Sequence, residues 1–181
     1  RSSDLNEQKL FYKKEQLLLQ MIVRYGEKVM CYLEDENGEE QPLTVIECIS
    51  SSLKEDELQF HYPLDRRILK EAENQGFVSE RYFLTHPDPE ISKQAAELAS
   101  DRYQLSKYHS KGQAIITDEE RLYELVPRLL IDFKLSIVEE EMKHTLQALT
   151  NPDIYNNPEK CQEIMQHYKE LQEIQIPMAQ K

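Results

Sequence analysis

Apolar residues recur at helical spacing from Leu122 to Leu149, through Leu125, Val126, Leu129, Leu130, Phe133, Ile137, Val138, Met142 and Leu146. No glycine interrupts the run, and the whole chain has only 4. This spacing marks one face of an α-helix, whose period is 3.6 residues. A helix over 118–149 is about 48 Å long at roughly 1.5 Å per residue. A compact bundle of this size needs no stripe of that length. Its second half and the helix after it therefore predict a helical hairpin projecting from a globular part. Pro127 removes one backbone hydrogen bond inside the stripe and predicts a bend near Tyr123–Pro127. The stripe keeps its phase across that point, so the helix continues.

The other elements read from the same signals. Asp4 and Glu7 have capping-box spacing ahead of "LFYKKEQLLLQMIVRY", which predicts a helix over 4–26 with one apolar face of Leu10, Phe11, Leu17, Leu18, Met21, Ile22 and Tyr25. Two β-prone runs, Val29–Leu33 and Leu43–Ile49, flank Asn37-Gly38, a dipeptide suited to a type I′ turn, so 28–49 reads as a small β-hairpin. The alternative is a helix through Leu33 followed by a loop. Five acids between 34 and 40 repel one another and predict a solvated tip. Helical spacing resumes after Leu53, with Pro63 splitting or opening that helix and Gly76 ending it. A short helix is expected at 79–84. Asp88 then caps a helix with Pro89 in its first position. Thr117 and Glu120 form another capping box, placing a border between a bundle over 1–116 and a long helix with its hairpin over 117–181. Asn157 and Pro158 open the last helix, which carries Cys161, Ile164, Met165, Tyr168, Leu171 and Ile174. The fold class is thus mostly α.

Composition narrows function by exclusion. The net charge of −12 opposes broad contact with a phosphate backbone. Cys31, Cys48 and Cys161 are odd in number and far apart, which favours a reducing, cytoplasmic setting over a disulfide framework. No apolar run approaches the ~20 residues of a membrane span. The opening "RSSDLNEQ", without an initiator Met, reads as the start of a fragment of a longer parent.

No catalytic constellation stands out. His61, His86, His109, His144 and His167 lack partners at helical metal-pair spacing, so no metal or cofactor is expected. The "EEE" at 139–141 belongs to a polar helix face rather than to a convergent acid pair. "HPDPE" is helix-start chemistry. Phosphate-binding glycine loops and nucleophile elbows are missing. "RYQLSKYHSK" interleaves Arg102, Lys107 and Lys111 with Tyr103 and Tyr108, a mix that stacks bases and meets phosphates. A helix end with dipole-favoured cations accounts for it more simply in so acidic a chain.

Four segments together resemble a known family. They are "FYKKEQLLLQMIVRYGEKVMCYL", "LDRRILKEAENQG", "ITDEERLYELVPRLLIDFKLSIVEEEMK" and "EKCQEIMQHYKELQEIQ". Their patterns and order are similar to those of the C-terminal helicase-binding domain of bacterial replicative DNA primase. The likeness covers most of the chain apart from about 34–50, where "LEDENGEEQPLTVIECI" departs from the family pattern. It implies a helical bundle, similar to the N-terminal domain of the helicase itself, followed by a helical hairpin. It implies a docking arm of Leu122–Leu149 and Cys161–Ile174, and a bundle core with Phe11, Leu18, Ile22, Ile68 and Leu69. The implied partner is the hexameric replicative helicase, recruited and stimulated during primer synthesis, and the parent chain would be the primase, a DNA-dependent RNA polymerase. The chain itself lacks the zinc-ribbon cysteines and glycine-flanked acids of primer synthesis.

The expectation is a non-enzymatic docking domain. Its partner-binding residues are Met142, Leu146, Ile164, Met165, Tyr168, Leu171 and Ile174. Rival readings are a nucleic-acid-binding helical module using Arg102, Lys107 and Lys111, and a self-associating scaffold.

Overall fold

A computed structural model describes residues 2–75, 80–100 and 119–181, with side chains from residue 12 through 74 in the first segment. The described residues form eight α-helices and one two-stranded antiparallel sheet. In order these are α1 (Ser2–Tyr25), β1 (Val29–Glu34), β2 (Glu40–Thr44), α2 (Val45–Glu55), α3 (Pro63–Gln75), α4 (Glu80–Leu84), α5 (Pro89–Leu98), α6 (Leu122–Ala148), α7 (Pro152–Tyr155) and α8 (Pro158–Ala179). The chain divides into a bundle unit, Tyr12–Leu130, and a hairpin unit, Ile131–Lys181 together with Arg1–Phe11. These boundaries fall inside α6 and α1. The border expected at 116/117, the Thr117 cap and the Gly76 stop lie outside the described residues.

Within the bundle unit, α1 is more deeply buried than a single apolar stripe implies. Leu18, Leu19, Met21, Ile22 and Val23 are all fully enclosed, and so are Glu15 and Gln20. Consecutive buried positions mean that the helix is covered on all sides rather than laid on a core by one face. Val45, Ile49, Leu53, Phe60, Ile68, Phe83, Ile91, Ala95 and Val126 complete the core. Of the bundle residues implied by the primase likeness, Leu18, Ile22 and Ile68 are buried, Leu69 is half-buried, and the Phe11 side chain lies outside the described set.

The β-hairpin forms, with two corrections. Its second strand is Glu40–Thr44, not Leu43–Ile49, because Val45–Glu55 is helical. Thr44 and Glu47 make a reciprocal capping box there, which starts a helix despite the β-branched residues that follow. The turn is not type I′ either. That turn needs positive φ at both central residues, and Asn37 does not have it. Instead, Gly38 N–H donates to Asp35 O at 3.0 Å, Asp35 N–H donates to Glu39 O at 2.8 Å, and only Gly38 is left-handed, at φ 80°. This is a three-residue loop closed by a glycine bulge. The Asp35 carboxylate selects it by accepting the Asn37 and Glu39 amides, both at 2.9 Å.

Caps elsewhere follow the chain's punctuation. Asp88, Asn151 and Asn157 each accept an N–H from the turn they open, and each is followed by proline. Pro63 opens α3 rather than splitting a longer helix. α6 continues through Pro127.

Gly26 closes α1 at a crowded point. A Cβ there would lie 2.4 Å from the Ile22 carbonyl oxygen and 2.6 Å from Ile46 Cδ1. The adjoining carbonyls also receive α2, through Ile46 N–H to Gly26 O at 3.1 Å and Val45 N–H to Lys28 O at 3.0 Å. Gly26→Ala must push backbone aside. It should cost ~1–3 kcal/mol, the usual penalty for overpacking. Urea unfolding should show a lower midpoint with unchanged slope.

Candidate functional site

Three groupings compete for the role of a site. The first is a buried pair of acids in the bundle unit. Glu15 occupies the core-facing position one turn before Leu18 and Leu19, and Asp65 sits in the first turn of α3; both are enclosed. Glu15 accepts the backbone N–H groups of His61 and Tyr62, the residues that lead into α3. Gln16 Nε2 donates to Asp65 Oδ2 at 2.8 Å, and Gln94 Nε2 of α5 donates to Gln16 Oε1. Burial, with a further push from the hydrogen-bonded Asp65, raises the Glu15 carboxyl to about 8. Burial raises Asp65 as well. Glu15 thus keeps its proton at neutral pH and donates it to Asp65. Acid–base catalysis needs a reactant within hydrogen-bond reach. A pair that is 0% and 2% exposed offers none, so its role is to join α1 to α3.

The second grouping ties α3 to α4 and α5. Tyr82 O–H donates to Glu71 Oε1 at 2.6 Å, and His86 Nε2 bonds the same oxygen. The Asp88 amide donates to His86 Nδ1 at 3.0 Å, which fixes the ring with its proton on Nε2. Burial works to raise the Glu71 carboxyl, but the bonds from Tyr82 and His86 outweigh it and hold it low. Arg67 pairs with Asp88, holding that carboxyl below its usual range, and reaches Glu90 at 3.4 Å. "HPDPE" is therefore a helix start that also clips onto α3. Among the described residues, no three His, Cys, Asp or Glu side chains converge as a metal set.

The third grouping, in the hairpin unit, is open to solvent. α6 and α8 are antiparallel: Glu141 lies 3.3 Å from His167, while Glu139, earlier in α6, lies 3.5 Å from Gln175, later in α8. Met142, Thr145 and Leu171 are buried. Beside them runs a groove of about 510 Å³ lined by Leu146, Leu149, Met165 and Tyr168, with Gln162, Gln166, Lys169 and Gln172 around it. Met165 is 61% exposed and Leu146 46%.

The structure sorts the residues expected at the docking face. Leu146, Met165 and Tyr168 come together in the groove. Met142 and Leu171 are buried, and Ile164 is half-buried. Ile174 is 51% exposed but nine residues beyond Met165, about half a turn around the helix, and so lies away from the groove. Leu149 belongs to the groove and was legible as the end of the α6 stripe. The glutamine rim carried no sequence signal. Arg102, Lys107 and Lys111 lie outside the described residues. No helix among the described residues is long and apolar enough to cross a membrane.

The architecture is that of a mostly helical domain with a small antiparallel hairpin. The chain belongs to DUF8430, a domain family of unknown function, whose model matches residues 3–181. No curated protein and no solved structure matches it.

The buried acid pair makes stability pH-dependent. The folded chain holds the Glu15 proton up to about pH 8, whereas an unshifted carboxyl releases it near 4.5. The folded state binds more protons across that window, so stability falls as pH rises through it. Glu15→Gln keeps a donor for Asp65 and an acceptor for the His61 amide without a titrating proton. Thermal melts should show a midpoint that declines from pH 5 to pH 8.5 in the wild type and a flatter profile in the variant. Equal slopes would remove Glu15 as the source.

Proposed function

We propose that this chain is a non-enzymatic docking domain that recruits a bacterial DNA primase to the hexameric replicative helicase. The observation that carries the docking reading is the open groove between α6 and α8. Its apolar floor and largely uncharged glutamine rim suit an apolar anchor from a partner, with polar groups to fix register. Tyr168 is half-buried there, and a large aromatic is a common anchor of binding energy. The helicase as partner rests on the resemblance of the helical segments to the primase domain. Under the same reading the bundle unit stimulates the helicase, and primer synthesis belongs to the parent chain.

A nucleic-acid-binding role would have to work against a net charge of −12. Self-association through the groove would give a dimer without any helicase, which sedimentation separates from docking.

Leu146→Ala, Met165→Ala and Tyr168→Ala should each weaken helicase binding by roughly 1–3 kcal/mol in calorimetry, the range for truncated anchors. Their melting midpoints should stay near wild type. Leu171→Ala and Leu18→Ala, which open buried space, should instead cost ~2–5 kcal/mol of stability. Normal binding by all three groove variants, with circular dichroism showing them folded, would remove the groove as the docking surface. Failure of the wild-type chain to bind any replicative helicase would remove the helicase as partner.

A further inference from the structure

The two edges of the small sheet are unequal. Asp35 N–H donates to Glu39 O, so Asp35 faces β2, and alternation turns Leu33 and Cys31 the same way. The backbone groups of Tyr32 and Glu34 then point to the outer edge of β1. On β2 the outward positions are Glu40, Pro42 and Thr44. Pro42, opposite Tyr32, has no N–H to offer, and the Thr44 N–H is taken by Glu47 in the α2 capping box. The outer edge of β2 is therefore closed to another strand, as natural sheets arrange for exposed edges. β1 has no such protection. Among the described residues, neither Tyr32 nor Glu34 makes a backbone hydrogen bond outside the hairpin. Tyr32 is 64% exposed and Leu33 53%, on opposite faces of the strand, so apolar side chains flank the open edge on both sides.

The charge around that edge is uniform. Glu34, Asp35, Glu36, Glu39 and Glu40 crowd the tip. Lys28, at the base of β1, is paired with Glu119 at 3.2 Å.

We propose that the outer edge of β1 is a strand-addition site for an extended basic segment of a protein partner. Backbone bonds to Tyr32 and Glu34 hold the segment, the apolar side chains on one of its faces cover Tyr32 or Leu33, and its cations meet the tip carboxylates. A second copy of this chain is a poor occupant, since it brings another acidic tip and another −12 charges. The site is separate from the α6–α8 groove and does not rest on the helicase reading.

The probe is a fluorescent octapeptide alternating Lys and Val, titrated into the full chain. Its control is the same peptide with alternate backbone amides N-methylated, which keeps charge and side chains but cannot pair. The alternating peptide should bind at least tenfold more tightly than the methylated one, and binding should weaken with salt. Tyr32→Pro removes one outward donor and should lose at least tenfold, while Met165→Ala should bind as wild type. Hydrogen exchange should slow at Tyr32 and Glu34 when the peptide is bound. Equal binding of the two peptides would show plain charge attraction and overturn strand addition, whether or not the Tyr32→Pro chain folds. A dimer of the free chain that Tyr32→Pro dissolves would overturn the assigned occupant.

Discussion

The Glu15 carboxyl lies fully enclosed one turn before Leu18–Val23, against the amides of His61 and Tyr62 and beside Asp65. A charged group in that place would need a counter-ion, and Asp65 supplies the opposite of one. The solution is a retained proton, which turns two repelling acids into a donor and an acceptor. Gln16 and Gln94 extend the arrangement, so α1, α3 and α5 are joined through one polar cluster inside an apolar core. Leaving any member unbonded costs ~1–3 kcal/mol, which makes the cluster specific about how these helices meet. The Glu71–His86–Asp88–Arg67 set then ties α3 to the start of α5.

Both units leave apolar side chains in solvent: Val29, Tyr32 and Leu33 on the β-hairpin, with Leu84 and Tyr123, in the bundle unit, and a second set in the hairpin unit. Leu146, Tyr155, Met165, Ile174 and Ile176 all remain exposed there. Scattered exposed apolar residues are ordinary on any protein. Leu146 and Met165 differ because they share one groove with Leu149 and Tyr168. Two facing helices shelter one seam, which Met142 and Leu171 occupy, and Leu146 and Met165 stay outside it.

Helical class, the Asp88 and Asn157 starts and the continuity of α6 were legible because caps and 3.6-residue periodicity are local signals, while Pro63 was left between splitting a helix and opening one. The hairpin's existence was legible for the same reason, but its second strand was not. The run Leu43–Ile49 has β propensity, and the Thr44–Glu47 capping box overrides it from Val45 onward. The turn was misread because Asn37-Gly38 fits two turn types, and the Asp35 side chain decides between them. The all-round burial of α1 and the Glu15–Asp65 pair depend on contacts with distant parts of the chain such as His61, Tyr62 and Asp65, which periodicity does not report. Glu15 still left a trace, as an acid one turn ahead of the buried leucines of α1. For the groove, the α6 and α8 stripes pointed to the two helices that line it. Which stripe residues fill the seam and which stand beside it depends on how the two helices are rotated, and that is a tertiary property.

Hydrogen exchange of the full chain, alone and with a hexameric replicative helicase, tests the central claim most directly. Docking through the open groove predicts slower exchange in 142–149 and 162–172, with the already protected α1 core unchanged. Protection confined to α3–α5, or none at all under conditions where the two proteins associate, would contradict it.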